Sequence, residues 1–286
     1  MVEFQVPEVD YTRYSNRQLA GIPLAILVLA LLVIAGWYVA TGAPVTPGID
    51  FTGGTEMRVQ TTASQSQIRT AFDSDVASVT PAQSSNNVYI VTFQDTDTNS
   101  LTSQANNLGY EVQSVQSTSA SFGSSSQQLA IYGVVAAFVG MSLIVFLMFR
   151  SFVPSIAVVL SAFGDIVIPV ALMNVFGIKL SLGTVAALLM LIGYSVDSDI
   201  LLNNHVLRRS GDFYESTYRA MRTGVTMTVT SLAAMAVMTV VAFVFQIGLL
   251  TSIGVVLVMG LATDLMNTYM LNLSLLRWYK YEGVGR

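Results

Sequence analysis

The chain has 286 residues, 53% of them hydrophobic and only 10% charged, with a net charge of −4 and a mean hydropathy of +0.61. Soluble domains carry roughly 25% charged residues, so these few charges cannot cover a water-exposed globule, and the missing polar surface points to lipid. The absence of cysteine excludes a disulfide scaffold and a zinc–thiolate site. A single histidine, His205, argues against a histidine-rich metal site, and a pI of about 4.9 argues against a nucleic-acid partner.

In chain order, six apolar segments reach the roughly 20 residues needed to cross hydrocarbon. They cover residues 22–40, 129–148, 153–176, 182–202, 225–244 and 250–276. The first follows Arg13 and Arg17, as a secretory signal would, but it exceeds the roughly 7–15 apolar residues of a signal core and reads as an uncleaved anchor. With the N-terminus in the cytoplasm, Arg13, Arg17, Arg150, Arg208, Arg209, Arg219, Arg222, Arg277, Lys280 and Arg286 all fall inside. Only Arg58, Arg69 and Lys179 fall outside, the asymmetry that the positive-inside rule describes. The expected order is a cytoplasmic N-terminus (1–21), a first transmembrane helix (22–42), an external domain (43–128), transmembrane helices two to six (129–276) and a cytoplasmic C-terminus (277–286).

The segment 43–128 is rich in Ser, Thr, Gln and Asn, and seven acids face two arginines. Its patterning is that of a folded α+β domain. "TEMRVQT" alternates as a strand, "SQSQIRTAFD" reads as a helix capped by Ser64, and "NVYIVTF" is a β-branched strand. "TDTNSLTSQANNLGY" reads as a second helix ending at Gly109, and "YEVQSVQSTS" as a last strand. A short strand near "DVASVT" completes βαββαβ, a ferredoxin-like order. "SFGSSSQQ" reads as a flexible lead into the second span. An acidic, serine-rich surface suits high external salt.

"GIDFTGGTEMRV", residues 48–59, comes after the first span. Its glycines permit tight turns or close backbone approach. They lack the spacing of a phosphate loop, and no nucleotide or other cofactor is expected. On spacing alone the stretch is a structural joint.

These residues carry a resemblance. Gly48, Asp50, Phe51, Gly53 and Gly54 after a first span, the six-span layout, "GDIVIP" in span three, "GYSVDSDILL" in span four and "RTGVTMTVTSL" entering span five together resemble the SecF family, most closely its archaeal form. The family consists of subunits of the Sec protein-translocation machinery. The resemblance covers nearly the whole chain. It implies an α-helical polytopic membrane protein, half of a resistance–nodulation–division-type transporter, with one external ferredoxin-like domain between helices one and two. It implies SecD as partner, together with the Sec translocon channel, unfolded proteins in transit and membrane lipid. It also implies residence in the cytoplasmic membrane, a non-enzymatic accessory role in export, and coupling to an ion gradient through movement of the external domain. Bacterial members read Ser-x-Asn-Asp-Thr in span four, where this chain has Ser195-Val196-Asp197-Ser198-Asp199. Asp264 in span six has no counterpart in the bacterial pattern.

Four intramembrane carboxylates are therefore the ion-relay candidates: Asp165, Asp197, Asp199 and Asp264. A carboxylate in mid-span costs roughly 2.5–3.5 kcal/mol on insertion scales, so it faces protein or water. Helical spacing puts Tyr194, Asp197, Leu201 and Asn204 on one face of span four, and Ser195, Asp199 and Asn203 on another. The deeper Asp197 is expected to matter most. Asp199 is expected near cytoplasmic water, hydrated or paired with Arg208 or Arg209, and His205 at the interface. Two other readings compete. A stand-alone half-transporter for lipid or small molecules shares the superfamily layout. An intramembrane aspartyl protease needs Tyr-Asp and Gly-x-Gly-Asp motifs, whereas Tyr194 precedes serine and Asp165 follows a lone Gly164.

Overall fold

The computed structural model describes residues 9–82, 87–208 and 212–282. Arg209 and Arg286, which enter the topology expectation, lie outside these residues. Contact clustering divides the chain in two: a helical unit (1–46, 133–178 and 183–286) and a sheet unit (47–132 and 179–182).

The helical unit begins with α1 (Asn16–Thr41), which starts at a capping box between Ser15 and Gln18 and stops at the left-handed Gly42. That stop frees the chain to enter the joint sequence. The later long helices are α5 (Ala120–Phe149), α6 (Phe152–Phe176), α7 (Leu182–Arg208) and α8 (Phe213–Val244). The last span is composite: α9 (Gly248–Met266), a π-helical turn (Asn267–Asn272) and α10 (Leu273–Tyr281). All six are long and apolar enough to cross a membrane. Even 25 residues span about 37 Å at 1.5 Å each, more than the roughly 30 Å of hydrocarbon.

Burial is uneven across the bundle. Most of the apolar stretch of α6 and α7 is enclosed, whereas α5 and α8 present Val135, Leu147, Val237 and Val244 outward. Side chains of that kind suit lipid or another subunit. Leu27 and Ala30 of α1 pack on Ile168 and Ala171 of α6. Val145 of α5 packs on Val158, Ala162 and Val196. The polar residues of α6, α7 and the last span are thus held between apolar layers.

The sheet unit starts at the joint helix α2 (Ile49–Thr52). It contains β1 (Gly54–Gln60), α3 (Gln65–Ala71), β2 (Val76–Pro81), β3 (Val88–Phe93), α4 (Thr98–Asn107) and β4 (Glu111–Thr118). The strands are antiparallel in the order β2-β3-β1-β4, the ferredoxin-like arrangement. Ser64 caps α3 with Gln67, Asp97 caps α4, and Gly109 turns with φ +75°. Ile68, Leu101 and Ala105 of the two helices close over Met57, Val59, Val91 and Phe93 on one sheet face. The stretch "SFGSSSQQ" is not a flexible lead. It forms the first turns of α5, where Phe122 N donates to Ser119 Oγ and Gly123 sits against the backbone of Phe51 and Gly53.

This core is small, so single truncations weigh heavily. Phe93→Ala is expected to destabilise the domain by about 3–5 kcal/mol, read as a lower urea midpoint. The excised segment 46–121 is expected to fold as an α+β unit, aided by salt that screens its acidic excess. A flat circular dichroism spectrum at both low and high salt would contradict that.

Candidate functional site

Three of the four candidate carboxylates meet inside the helical unit. Asp165 on α6, Asp199 on α7 and Asp264 on α9 are 1%, 0% and 2% exposed. Among the described residues, every hydrogen bond they accept comes from an uncharged side chain. Asp165 accepts from Ser195 Oγ at 2.5 Å and from Asn267 Nδ2 at 2.7 Å. Asp199 Oδ1 accepts from Thr268 Oγ1 at 2.8 Å and Asn272 Nδ2 at 2.7 Å. Asp264 Oδ1 accepts from Ser198 Oγ at 2.7 Å and lies 3.2 Å from Thr268 Oγ1.

One hydroxyl therefore lies between two carboxylates, with a second beside it. Thr268 Oγ1 reaches both Asp199 and Asp264, yet its one proton can serve only one of them at a time. Ser198 Oγ reaches Asp264, the carbonyl of Ser195 at 2.9 Å, and Thr268 Oγ1 at 3.3 Å. Rotating the Thr268 hydroxyl shifts its hydrogen bond between Asp199 and Asp264 without moving a helix, and Ser198 can serve Asp264 when Thr268 turns away. Asp199 Oδ2 and Ser161 Oγ are buried and face one another, with no partner in close hydrogen-bond geometry among the described residues. Among the described residues, no group of three or more His, Cys, Asp and Glu is arranged to hold a metal ion.

The local sequence explains the geometry. Ser195 and Asp199 are four apart on α7 and share a face, with Ser198 beside them. Gly164, next to Asp165, leaves room for Asn267: a Cβ there would lie 2.6 Å from Asn267 Nδ2. The π turn widens the last span where Asn267, Thr268 and Asn272 reach inward. Such turns recur at functional sites, and here Thr268 and Asn272, four apart within it, bond the same oxygen of Asp199.

Asp197 stands apart. It is exposed on α7, on the face that carries the exposed Tyr194. The expectation of a solvent-facing Asp199 needs correction: it is fully buried, enclosed by α6 and the last span, and accepts from Thr268 and Asn272; Arg209 and the Arg208 side chain lie outside the described residues. His205 is half-buried with Nδ1 2.9 Å from the carbonyl of Leu201. The sequence reading missed Thr268, Asn267 and Asn272, although the spacing Asp264, Asn267, Thr268 and Asn272 is itself a polar stripe along one apolar span.

The signature joint forms a second constellation, in the sheet unit. Gly48 caps α2, and Ile49 and Phe51 are buried. Gly53 and Gly54 have φ of +76° and +106°. A Cβ on Gly53 would meet Ala120 Cα at 2.6 Å, and one on Gly54 would meet the Phe93 carbonyl oxygen at 2.2 Å. Asp50 Oδ2 accepts from Leu182 N at 3.0 Å.

Fold and cluster together define the class: a multi-pass membrane protein whose six-helix bundle encloses carboxylates and carries a ferredoxin-like domain after its first span. Residues 39–65 match the SecD/SecF GG motif, and residues 98–282 match the C-terminal region of the protein export membrane proteins SecD and SecF. The protein-export membrane protein SecF of Haloferax volcanii is 69% identical over all of both chains, and that of Haloquadratum walsbyi 67%. SecF of Pyrococcus furiosus is 39% identical over 91% of this chain and 90% of its own. The crystal structure of SecDF, a translocon-associated membrane protein from Thermus thermophilus, superposes with a TM-score of 0.72 at 18% identity. It covers 98% of this chain, which spans 40% of that longer one. The chain belongs to the SecD/SecF family of protein-export membrane proteins, among archaeal SecF relatives.

Proposed function

We propose that this chain is an accessory subunit of the Sec translocase that works with SecD to promote protein export across the cytoplasmic membrane, driven by an ion gradient through Asp165, Asp199 and Asp264. The observation that carries the ion-linked part is the buried cluster itself. Three carboxylates with only neutral hydrogen-bond partners, enclosed in a bundle, repel one another when ionised and lose hydration. A proton or a cation relieves both costs. The hydroxyl of Thr268, shared by Asp199 and Asp264 and next to that of Ser198, gives it a short path between those two sites. Loading or unloading the cluster then changes how α6, α7 and the last span hold together. That change is the source of movement for the external domain, which handles the emerging chain.

Asp197 has a different part in this reading. An exposed carboxylate in a span requires a polar neighbour, and SecD is the neighbour that the family supplies. Asp197→Leu is therefore expected to weaken co-purification with SecD, while Asp197→Asn, which keeps a hydrogen-bonding side chain, retains it. The full-length SecF relatives favour this account over a stand-alone half-transporter for lipid or small molecules, which would form a stable oligomer without SecD.

Both termini are proposed to be cytoplasmic, with residues 43–128 outside, because ten of the thirteen basic residues then lie inside. The chain has no cysteine, so single cysteines report topology directly. Asn99→Cys is expected to react with an impermeant maleimide from outside, and Glu282→Cys only after lysis. External labelling of Ser210→Cys would contradict this topology. The functional test is export in a strain lacking this gene: wild-type protein restores gradient-dependent export, and a chain with Asp165, Asp199 and Asp264 all changed to Asn assembles with SecD but does not.

A further inference from the structure

Residues 179–182 connect α6 to α7, yet they belong to the sheet unit. Three independent ties hold this four-residue strap. Gly48 N donates to the Leu180 carbonyl at 2.7 Å, with Pro47 and Leu180 forming a parallel bridge. Leu182 N donates to Asp50 Oδ2 at 3.0 Å. Lys179 Nζ lies 3.2 Å from Thr92 Oγ1 and 3.6 Å from Glu56 Oε2. Glu56 and Thr92 alternate with the core residues Met57 and Val91, so Lys179 rests on the sheet face opposite α3 and α4.

Leu182 is also the first residue of α7, the helix that carries Ser195, Ser198 and Asp199. The N–H groups of a first helical turn have no partner within their own helix, and a carboxylate there complements the helix dipole. Asp50 therefore caps a helix more than 130 residues away in sequence, while α2, on which Asp50 sits, has no side-chain cap at all.

We propose that Asp50 is a positioning residue that fastens the 179–182 strap to the domain throughout the working cycle, so that displacement of α7 is passed to the domain without slack. The proposal rests on the ion-driven export reading above. It gives the signature aspartate a task that the glycines do not share: they let the joint fold, and Asp50 ties the joint to the helix that bears the buried acids.

Export in the deletion strain separates this proposal from the reading beneath it. Normal export without the protein would contradict the functional reading and the tie together. If wild type restores export, Asp50→Ala is expected to assemble with SecD and lower export about fivefold, the population shift that losing one capping bond brings. Asp50→Asn keeps an acceptor oxygen and is expected to export like wild type. A disulfide between Gly48→Cys and Lys179→Cys replaces the tie, because the Cβ positions are 3.7 Å apart, within disulfide range. When oxidised it is expected to restore Asp50→Ala, and when reduced to lose that rescue. Wild-type export by Asp50→Ala would overturn the tie, as would an oxidised disulfide that fails to rescue. Should Asp50→Ala not assemble, the same disulfide beside native Asp50 decides: unimpaired export when oxidised supports a permanent tie, and a reversible block overturns it.

Discussion

Asp199→Asn is expected to yield a folded chain that inserts and binds SecD but exports no better than a strain without the protein. Asparagine matches aspartate in size, and its Oδ1 can still accept from Thr268 and Asn272. Its amide takes the place of Asp199 Oδ2, facing the Ser161 hydroxyl, whose oxygen can accept. The fold is therefore preserved, while the capacity to bind and release a proton or cation at this position is gone. Asp199→Leu is a different lesion. It leaves the Asn272 amide buried with an unmet donor, at about 1–3 kcal/mol, while Thr268 can still donate to Asp264, and it should lower the yield of assembled protein as well as its activity. The contrast between the two variants separates ion handling from packing. Asp197→Asn should retain most export, because its side chain lies on the exposed face of α7 and outside the cluster.

Gly54→Ala is expected to unfold the sheet domain. Its φ of +106° is a conformation that residues with a side chain rarely adopt, at about 1–3 kcal/mol. In addition, the new methyl group would sit 2.2 Å from the carbonyl oxygen of Phe93. That oxygen belongs to the backbone of a strand flanked on both sides, so it cannot swing away as a flexible side chain would. Total domain stability is typically only about 5–15 kcal/mol, and a small domain with few large apolar side chains lies low in that range. Gly53→Ala should be comparably harmful, since its Cβ would press on Ala120 Cα. Gly42→Ala is the control. It also has positive φ, but nothing lies within 4 Å of its Cβ, so only the backbone strain remains. Protease resistance of the domain in isolated membranes distinguishes the three: Gly42→Ala survives, and the other two are cleaved.

Local patterns carried most of the architecture. Six apolar runs announce six long helices because hydrocarbon thickness sets a length that sequence displays directly. Ser64, Asp97 and Gly109 mark helix ends in the sheet domain because caps and left-handed turns are chosen by side-chain chemistry within a few residues. The cluster was only half legible. Helical spacing separated Asp197 from Asp199 onto two faces of α7, but both faces carry polar residues, so spacing could not say which one looks into the bundle. Depth along the span favoured Asp197, whereas packing against α6 and the last span encloses Asp199. Two features had no local signal. The π turn at Asn267–Asn272 depends on the partners it reaches. The bond from Leu182 to Asp50 joins residues 132 apart, which no window along the chain connects. The serine-rich stretch after β4 looked like a linker by composition, but the Ser119 hydroxyl and the close fit of Gly123 start α5 there.

The most direct measurement is late export in vesicles holding this chain, SecD and the Sec channel, with and without an imposed ion gradient, comparing wild type with the single variants Asp165→Asn, Asp199→Asn and Asp264→Asn. Buried carboxylates that drive movement predict that the gradient accelerates export by wild type and leaves each variant at the ungradiented rate. If all three variants respond to the gradient as wild type does, the buried acids are structural and the account of ion-driven movement is wrong.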